Sequence, residues 1–169
     1  MDNLLNWALT QRDVLPYHPK PVNIQEATEE IFTLFEQIAN EKGIRLQLNI
    51  EEAIHAYSDP NAITTIIRNL VDNAIKYTPE GGKIVVNSSI EGNKVAIIVK
   101  DTGQGITAEK LATIFELQQN KSTKGTAGES GAGLGLSLVK DLVDLNKGTI
   151  NIQSQPQQGT TFEIYLPAA

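Results

Sequence analysis

Residues 69–77, Asn-Leu-Val-Asp-Asn-Ala-Ile-Lys-Tyr, decide how this chain folds. At roughly 100° of turn per residue, Ile63, Ile66, Ile67, Leu70, Val71 and Ala74 share one arc of a helix. Thr65, Asn69, Asp72, Asn73 and Lys76 share the opposite arc. A plain surface helix would split the same way. Asparagine, however, is a poor interior helix former because its side chain competes with the backbone for hydrogen bonds. Two of them one turn apart therefore point to a use for the amide oxygens. Amides and a lysine along one stripe suit a polyanion accompanied by a divalent cation.

The flanking sequence frames this helix. Ser58 and Asp59 before Pro60 form a strong helix start, and Pro79 with Gly81 and Gly82 closes it. Upstream, Asn23 caps a second helix whose apolar positions are Ile24, Ala27, Ile31, Leu34, Phe35 and Ile38. That helix stops at Gly43, and residues 44–50 alternate as a strand. Downstream, residues 83–90 and 94–100 are rich in valine and isoleucine, and Glu91-Gly92-Asn93 between them is a hairpin signal. A glycine turn then leads to a short helix near Thr107. Residues 118–130 are almost all polar or small and read as a loop. A helix follows residues 131–136 and ends near Asn146. Two last strands, 149–154 and 160–166, are joined by Pro-Gln-Gln-Gly. Helices and hairpins without regular alternation give an α+β fold: a two-layer sandwich whose mixed, mostly antiparallel sheet is covered on one face by about three helices.

A chain of 169 residues with 40% hydrophobic content and seven prolines supports one core. Leu4, Leu5, Ala8 and Leu9 beside Trp7 mark residues 1–12 as the end of an amphipathic helix. Residues 13–22, with Pro16, Pro19 and Pro21, read as a linker, and residues 23–169 as the globular domain. No apolar run approaches the roughly 18 residues of a membrane span, and the first residues lack a secretory leader, so a soluble chain in a cytoplasmic setting is expected. The absence of cysteine removes disulfides and thiolate chemistry. A net charge of −6 argues against sequence-independent nucleic-acid binding. A polyanion here needs a local pocket.

Two further blocks supply candidates. Asp101-Thr102-Gly103-Gln104-Gly105 stands where a hydrophobic strand ends, which holds an acid over a pocket while glycines let a ligand approach the backbone. That carboxylate could accept a hydrogen bond from an exocyclic amine. Gly131-Ala132-Gly133-Leu134-Gly135-Leu136 precedes a helix, so its backbone amides and the helix dipole can receive phosphate oxygens. No Gly-Lys-Ser/Thr follows it, and Leu136 occupies the last glycine's place of a dinucleotide fingerprint.

In this order the blocks closely resemble the ATP-binding catalytic domain of bacterial sensor histidine kinases, whose Bergerat fold is shared with type II topoisomerases, mismatch-repair ATPases and heat-shock chaperones. The resemblance covers residues 21–167. Residues 69–82 look like the family's N box, 101–106 its first glycine box, 114–116 its F box, 131–136 its second glycine box and 159–167 its closing strand. The F box departs from the family pattern, since no second aromatic follows Phe115 within the next four residues. The resemblance implies that Asn73 coordinates Mg²⁺ bridging the phosphates of ATP, with Asn69 nearby, Lys76 on phosphate and Tyr77 against the nucleotide. It implies that Asp101 reads the adenine amine, that Gly103, Gly105 and Ile106 shape the base pocket, and that Thr160 adds a contact through water. Residues 118–130 would be a lid, with Lys121, Thr123 and Lys124 reaching the phosphates beside the amides of Gly131, Gly133, Leu134, Gly135 and Leu136.

Hydrolysing members of this fold carry a glutamate four residues before the metal-binding asparagine. Asn69 stands at that place, and an amide cannot accept a proton at neutral pH. Transfer to another nucleophile is the better reading. His18 and His55 do not fit the family's phosphoacceptor, so the acceptor is expected on a dimerisation domain outside this chain. The implied partners are that domain, in a homodimeric parent that could be anchored in the inner membrane, and a response-regulator receiver; the fragment alone is expected to be monomeric. A nucleotide-binding module without transfer, an ATPase clamp and an anti-sigma serine kinase remain open.

Overall fold

The computed structural model describes residues 17–51, 53–116, 125–128 and 135–169. In chain order they form β1 (Lys20–Asn23), α1 (Ile24–Glu41), β2 (Arg45–Ile50), β3 (His55–Ser58), α2 (Pro60–Tyr77), β4 (Lys83–Glu91), β5 (Lys94–Asp101), a short α3 (Ala108–Ala112), α4 (Gly135–Leu145), β6 (Thr149–Ser154) and β7 (Thr160–Pro167). Five strands make one sheet in the order β2-β4-β5-β7-β6, parallel between β2 and β4 and antiparallel elsewhere. The expected mixed, mostly antiparallel α+β sandwich is therefore present, and the amphipathic segment of residues 1–12 lies outside the described residues.

Cross-strand register sorts the side chains into rows on the helix-covered face. Ile50, Ser88, Ile97, Ile164 and Ile150 form one row, and Leu48, Val86, Val99, Phe162 and Ile152 the next. Helix α2 lays Ile63, Ile66, Ile67 and Leu70 on this core, each under 2% exposed. Burial of a side chain of that size contributes roughly 1.5–3 kcal/mol. The helices α1 and α4 flank it, contributing Ile24, Ile31, Phe35, Leu138, Val139 and Val143. Two expected core residues of α1 are instead exposed, Leu34 at 57% and Ile38 at 49%. The helix rests on the layer through the stripe of Ile31, Phe35 and Ala39, and Leu34 and Ile38 both lie on the flank of that stripe that clears the layer.

The linker also differs from its sequence reading. Lys20–Val22, placed within it, pair antiparallel with β3 in a separate two-stranded sheet, from Lys20 opposite Ser58 to Asn23 opposite His55. Ala168 bridges to Ala56 across β3, and the Ala169 N–H donates to the His55 carbonyl at 3.0 Å.

The start of α2 is tied to two segments distant in the chain. The Asp59 side chain caps it, its Oδ1 accepting from the N–H groups of Asn61 and Ala62 at 2.9 and 3.2 Å. Its Oδ2 accepts from the His18 N–H at 2.9 Å, tying down the chain before β1. Asn146, buried just after α4, accepts at Oδ1 from the Ser58 hydroxyl (2.7 Å) and the Asp59 N–H (2.9 Å), and donates from Nδ2 to the Leu142 carbonyl (2.7 Å). One side chain thus joins the end of α4 to the start of α2. Asn146→Ala removes the acceptor of two buried donors and should cost about 2–4 kcal/mol of stability, measured by urea denaturation.

Candidate functional site

The third row of the covered face changes character. Leu46, Ile84, Asp101, Thr160 and Ser154 stand side by side, apolar at the β2 edge and polar toward β6. Asp101 and Thr160 are each only 6% exposed. Asp101 Oδ1 accepts from the Gly103 N–H at 2.7 Å and the Thr160 N–H at 3.2 Å, which fixes the carboxylate. Burial holds its carboxyl above the ordinary carboxylate value, and those two N–H bonds pull the other way. A desolvated acid anchored through one oxygen presents the other as an acceptor.

Ser154, which the sequence reading did not single out, organises this corner. Its hydroxyl lies 2.9 Å from the Gly159 carbonyl, 2.8 Å from the Thr160 hydroxyl, and accepts from the Ile106 N–H at 2.9 Å. With the Ser154 proton on Gly159, the Thr160 proton is directed to Ser154. Only the pairing of Ser154 with Thr160 across β6 and β7 reveals it, and no motif marks the position.

The glycines of the 101–105 turn were expected to let a ligand reach the backbone, but the structure shows protein against them. A Cβ on Gly105, at φ +70°, would lie 1.9 Å from the Gln155 carbonyl oxygen. One on Gly103 would lie 2.5 Å from the Tyr77 carbonyl oxygen and 2.7 Å from Asp101 Oδ1. These positions are glycine because the β6–β7 turn and the end of α2 close directly onto the turn. Ile106 follows, half-buried.

Helix α2 brings the amide stripe to the same end of the molecule. The carbonyls at its C-terminus are met by three segments. The Lys42 ammonium donates to the Ile75 and Lys76 carbonyls at 2.8 and 3.0 Å, and the Gln104 N–H donates to the Tyr77 carbonyl at 3.0 Å. Thr126 supplies the third set. Asn73, Lys76 and Tyr77 are half-buried, and the Lys76 ammonium stands 5.1 Å from the centre of the Tyr77 ring. Asn69, placed by periodicity on the polar arc, is 6% exposed. Its Nδ2 donates to the Thr65 carbonyl at 2.7 Å, which turns Oδ1 toward Gly135 at the start of α4, where an added Cβ would come within 2.8 Å. The stripe is therefore covered in part by α4, with Leu136 half-buried beside it. Lys121, Thr123, Lys124, Gly131, Gly133 and Leu134 lie outside the described residues.

The histidines sit at the other end of α2. His18 bonds to the N-cap Asp59, and His55 opens the strand leading to it, its Nδ1 2.9 Å from the Ala53 carbonyl. The 1.5 Å helical rise puts Asn73 roughly 20 Å along the axis from that cap. Among the described residues no group of three or more His, Cys, Asp or Glu could hold a metal, and no helix is long and apolar enough to cross a membrane.

Asp101 ends a core strand, α2 closes against the turn that follows it, and Asn69 of α2 meets Gly135 at the start of α4; residues 58–169 match the family described as histidine kinase-, DNA gyrase B-, and HSP90-like ATPase. The chain belongs to that family. Relatives within it include sensor kinases. The chain is 35% identical over 150 residues to an uncharacterized sensor-like histidine kinase, R01002, of Rhizobium meliloti strain 1021, covering 88% of this chain and 29% of that protein. It is 34% identical over 156 residues to the adaptive-response sensory kinase SasA of Synechocystis, covering 89% of this chain and 39% of that one. The chain thus spans well under half the length of either relative. Among solved structures, the catalytic domain of histidine kinase ThkA, nucleotide free, superposes with a TM-score of 0.77 at 29% identity over 89% of this chain and 95% of that one. Full-length ShkA in complex with AMPPNP gives 0.82 at 28% identity, over 99% and 35%. The described domain is a catalytic ATPase domain of the histidine kinase type.

Asp101→Asn tests the electrostatics of this corner. The amide keeps an oxygen for both N–H bonds but carries no charge into the buried site. A carboxyl whose folded value is raised binds its proton more tightly folded than unfolded. Through this residue, stability is lost as pH rises from the ordinary carboxylate value through the raised one. The variant should melt at or above wild type at pH 7, with the difference shrinking on acidification toward pH 4. A variant that melts lower at pH 7 contradicts this.

Proposed function

We propose that the domain binds Mg-ATP in this cleft and donates the γ-phosphoryl group to a histidine on a dimerisation domain outside the chain. From there the group passes to a response-regulator aspartate. The observation that carries the reading is the third sheet row, where Asp101 and Thr160 meet beside the turn on which the end of α2 closes. The fixed carboxylate suits the adenine amine, with Thr160 beside it and Ile106, Gly103 and Gly105 forming the floor. Lys76 and the amides from residue 131 to 136 would receive the phosphates, Tyr77 would lie against the nucleotide, and Lys121, Thr123 and Lys124 are the further candidates for phosphate.

The donor set fits a magnesium ion carried by the nucleotide. Asn73 offers one hard amide oxygen, Asn69 a second nearby, and with no acidic or histidine cluster among the described residues the remaining ligands fall to phosphate and water, the usual arrangement for Mg²⁺. When bound, the ion neutralises charge on the phosphates during transfer. The chain's own contribution is to orient the triphosphate so that the γ-phosphorus lies in line for an incoming imidazole.

Asn69 supports transfer over hydrolysis. It stands where hydrolysing relatives carry glutamate, and an amide whose N–H₂ is already used on the Thr65 carbonyl cannot deprotonate a water. The distance of His18 and His55 from the cleft agrees with an acceptor on a partner domain. The parent protein would act as a homodimer, with the domain itself cytoplasmic.

By calorimetry, Asn73→Ala should abolish the Mg-dependent part of ATP binding. Asp101→Ala should weaken ATP and adenosine alike, about 10- to 100-fold, as expected for a lost charge-assisted hydrogen bond. Both variants binding ATP like wild type would sink the assignment. Labelled γ-phosphate followed onto an added histidine-bearing domain tests the transfer. Normal binding with no labelled histidine would leave a regulatory nucleotide-binding module.

A further inference from the structure

Thr126, an exposed residue, makes three long-range hydrogen bonds to the end of α2. Its N–H donates to the Lys76 carbonyl at 2.9 Å, and its hydroxyl lies 3.0 Å from the Thr78 carbonyl and 3.3 Å from that of Lys76. All of these acceptors belong to the C-terminal end of α2, about fifty residues earlier in the chain. Gly125–Gly128 forms a tight turn around Thr126, closed by the Gly128 N–H on the Gly125 carbonyl at 3.0 Å.

The last carbonyls of the helix itself have other donors as well. The Lys76 carbonyl is already served by the Lys42 ammonium, and the Ile75 and Tyr77 carbonyls by Lys42 and Gln104. What the bonds do is fix the turn. They hold it on the backbone of Lys76, the cation of the amide stripe. The base corner of Asp101, Thr160 and Ser154 makes none of these bonds.

We propose that Thr126 is a positioning residue for the phosphate end of the nucleotide site, anchoring the 125–128 turn to the end of α2. The inference rests on the nucleotide-binding reading above and adds a residue that reading does not use. Thr126 touches no reacting atom and acts through Lys76 and the turn.

Thr126→Val keeps the shape and the backbone N–H but removes the hydroxyl donor, and Thr126→Ser restores it. Calorimetry with MgATP and with adenosine separates the two ends of the ligand. Thr126→Val should weaken MgATP about 3- to 10-fold, the range one hydrogen bond supplies, with adenosine unchanged. Thr126→Ser should return MgATP to within about 2-fold of wild type. Amide exchange at residues 125–128 in the free protein should quicken in the valine variant alone. A valine variant that binds MgATP like wild type overturns the proposal. So does equal loss of both ligands, or a serine variant as weak as valine. Wild-type protein that binds neither ligand overturns the nucleotide reading itself, and this inference with it.

Discussion

The carbonyl of Tyr77 is the point on which the cleft depends. It ends α2, accepts the Gln104 N–H at 3.0 Å, and stands where a side chain on Gly103 would have to be. Helix and strand-end turn therefore meet backbone to backbone. The helix carries Asn69, Asn73 and Lys76, and the turn begins at Asp101, so a close contact that leaves no room for a Cβ sets the spacing between an amide stripe and an acid. The β6–β7 turn locks onto the same turn from the other side, through the Gln157 N–H on the Gln104 carbonyl at 2.7 Å.

Much of this was legible in the chain because the deciding signals are local. Periodicity found α2, the capping pair Asp59 and Pro60 fixed its start, and Glu91-Gly92-Asn93 marked the hairpin of β4 and β5. What escaped depends on distant pairing. The strand of residues 55–58 is four residues long, and its partner lies in a proline-rich stretch, so neither half carries an alternation worth counting. Ser154 is visible only from the register that sets it against Thr160. Leu34 and Ile38 follow the same period as Ile31 and Phe35, and sequence does not say where the layer beneath the helix stops.

The charge of the chain and the chemistry of its cleft pull in opposite directions, and the fold reconciles them locally. A net charge of −6 repels a polyphosphate at long range. Lys42 is turned onto the carbonyls that end α2, where a cation is favoured by the helix dipole. Lys76 stays on the stripe beside Tyr77. The buried carboxylate of Asp101 is held by N–H groups at the end of β5. Acid and cation are thus sorted to different places around the end of α2.

Asn69 and Gly135 share a single small volume, though they come from helices far apart in the chain. The amide oxygen of Asn69 fills the space that a methyl group at 135 would need, and the Thr65 carbonyl keeps the amide in that orientation. The two positions are consequently not independent letters. A larger residue at 135 must push that amide aside or stand beside a shorter one at 69, so in related sequences these two sites should drift as a pair.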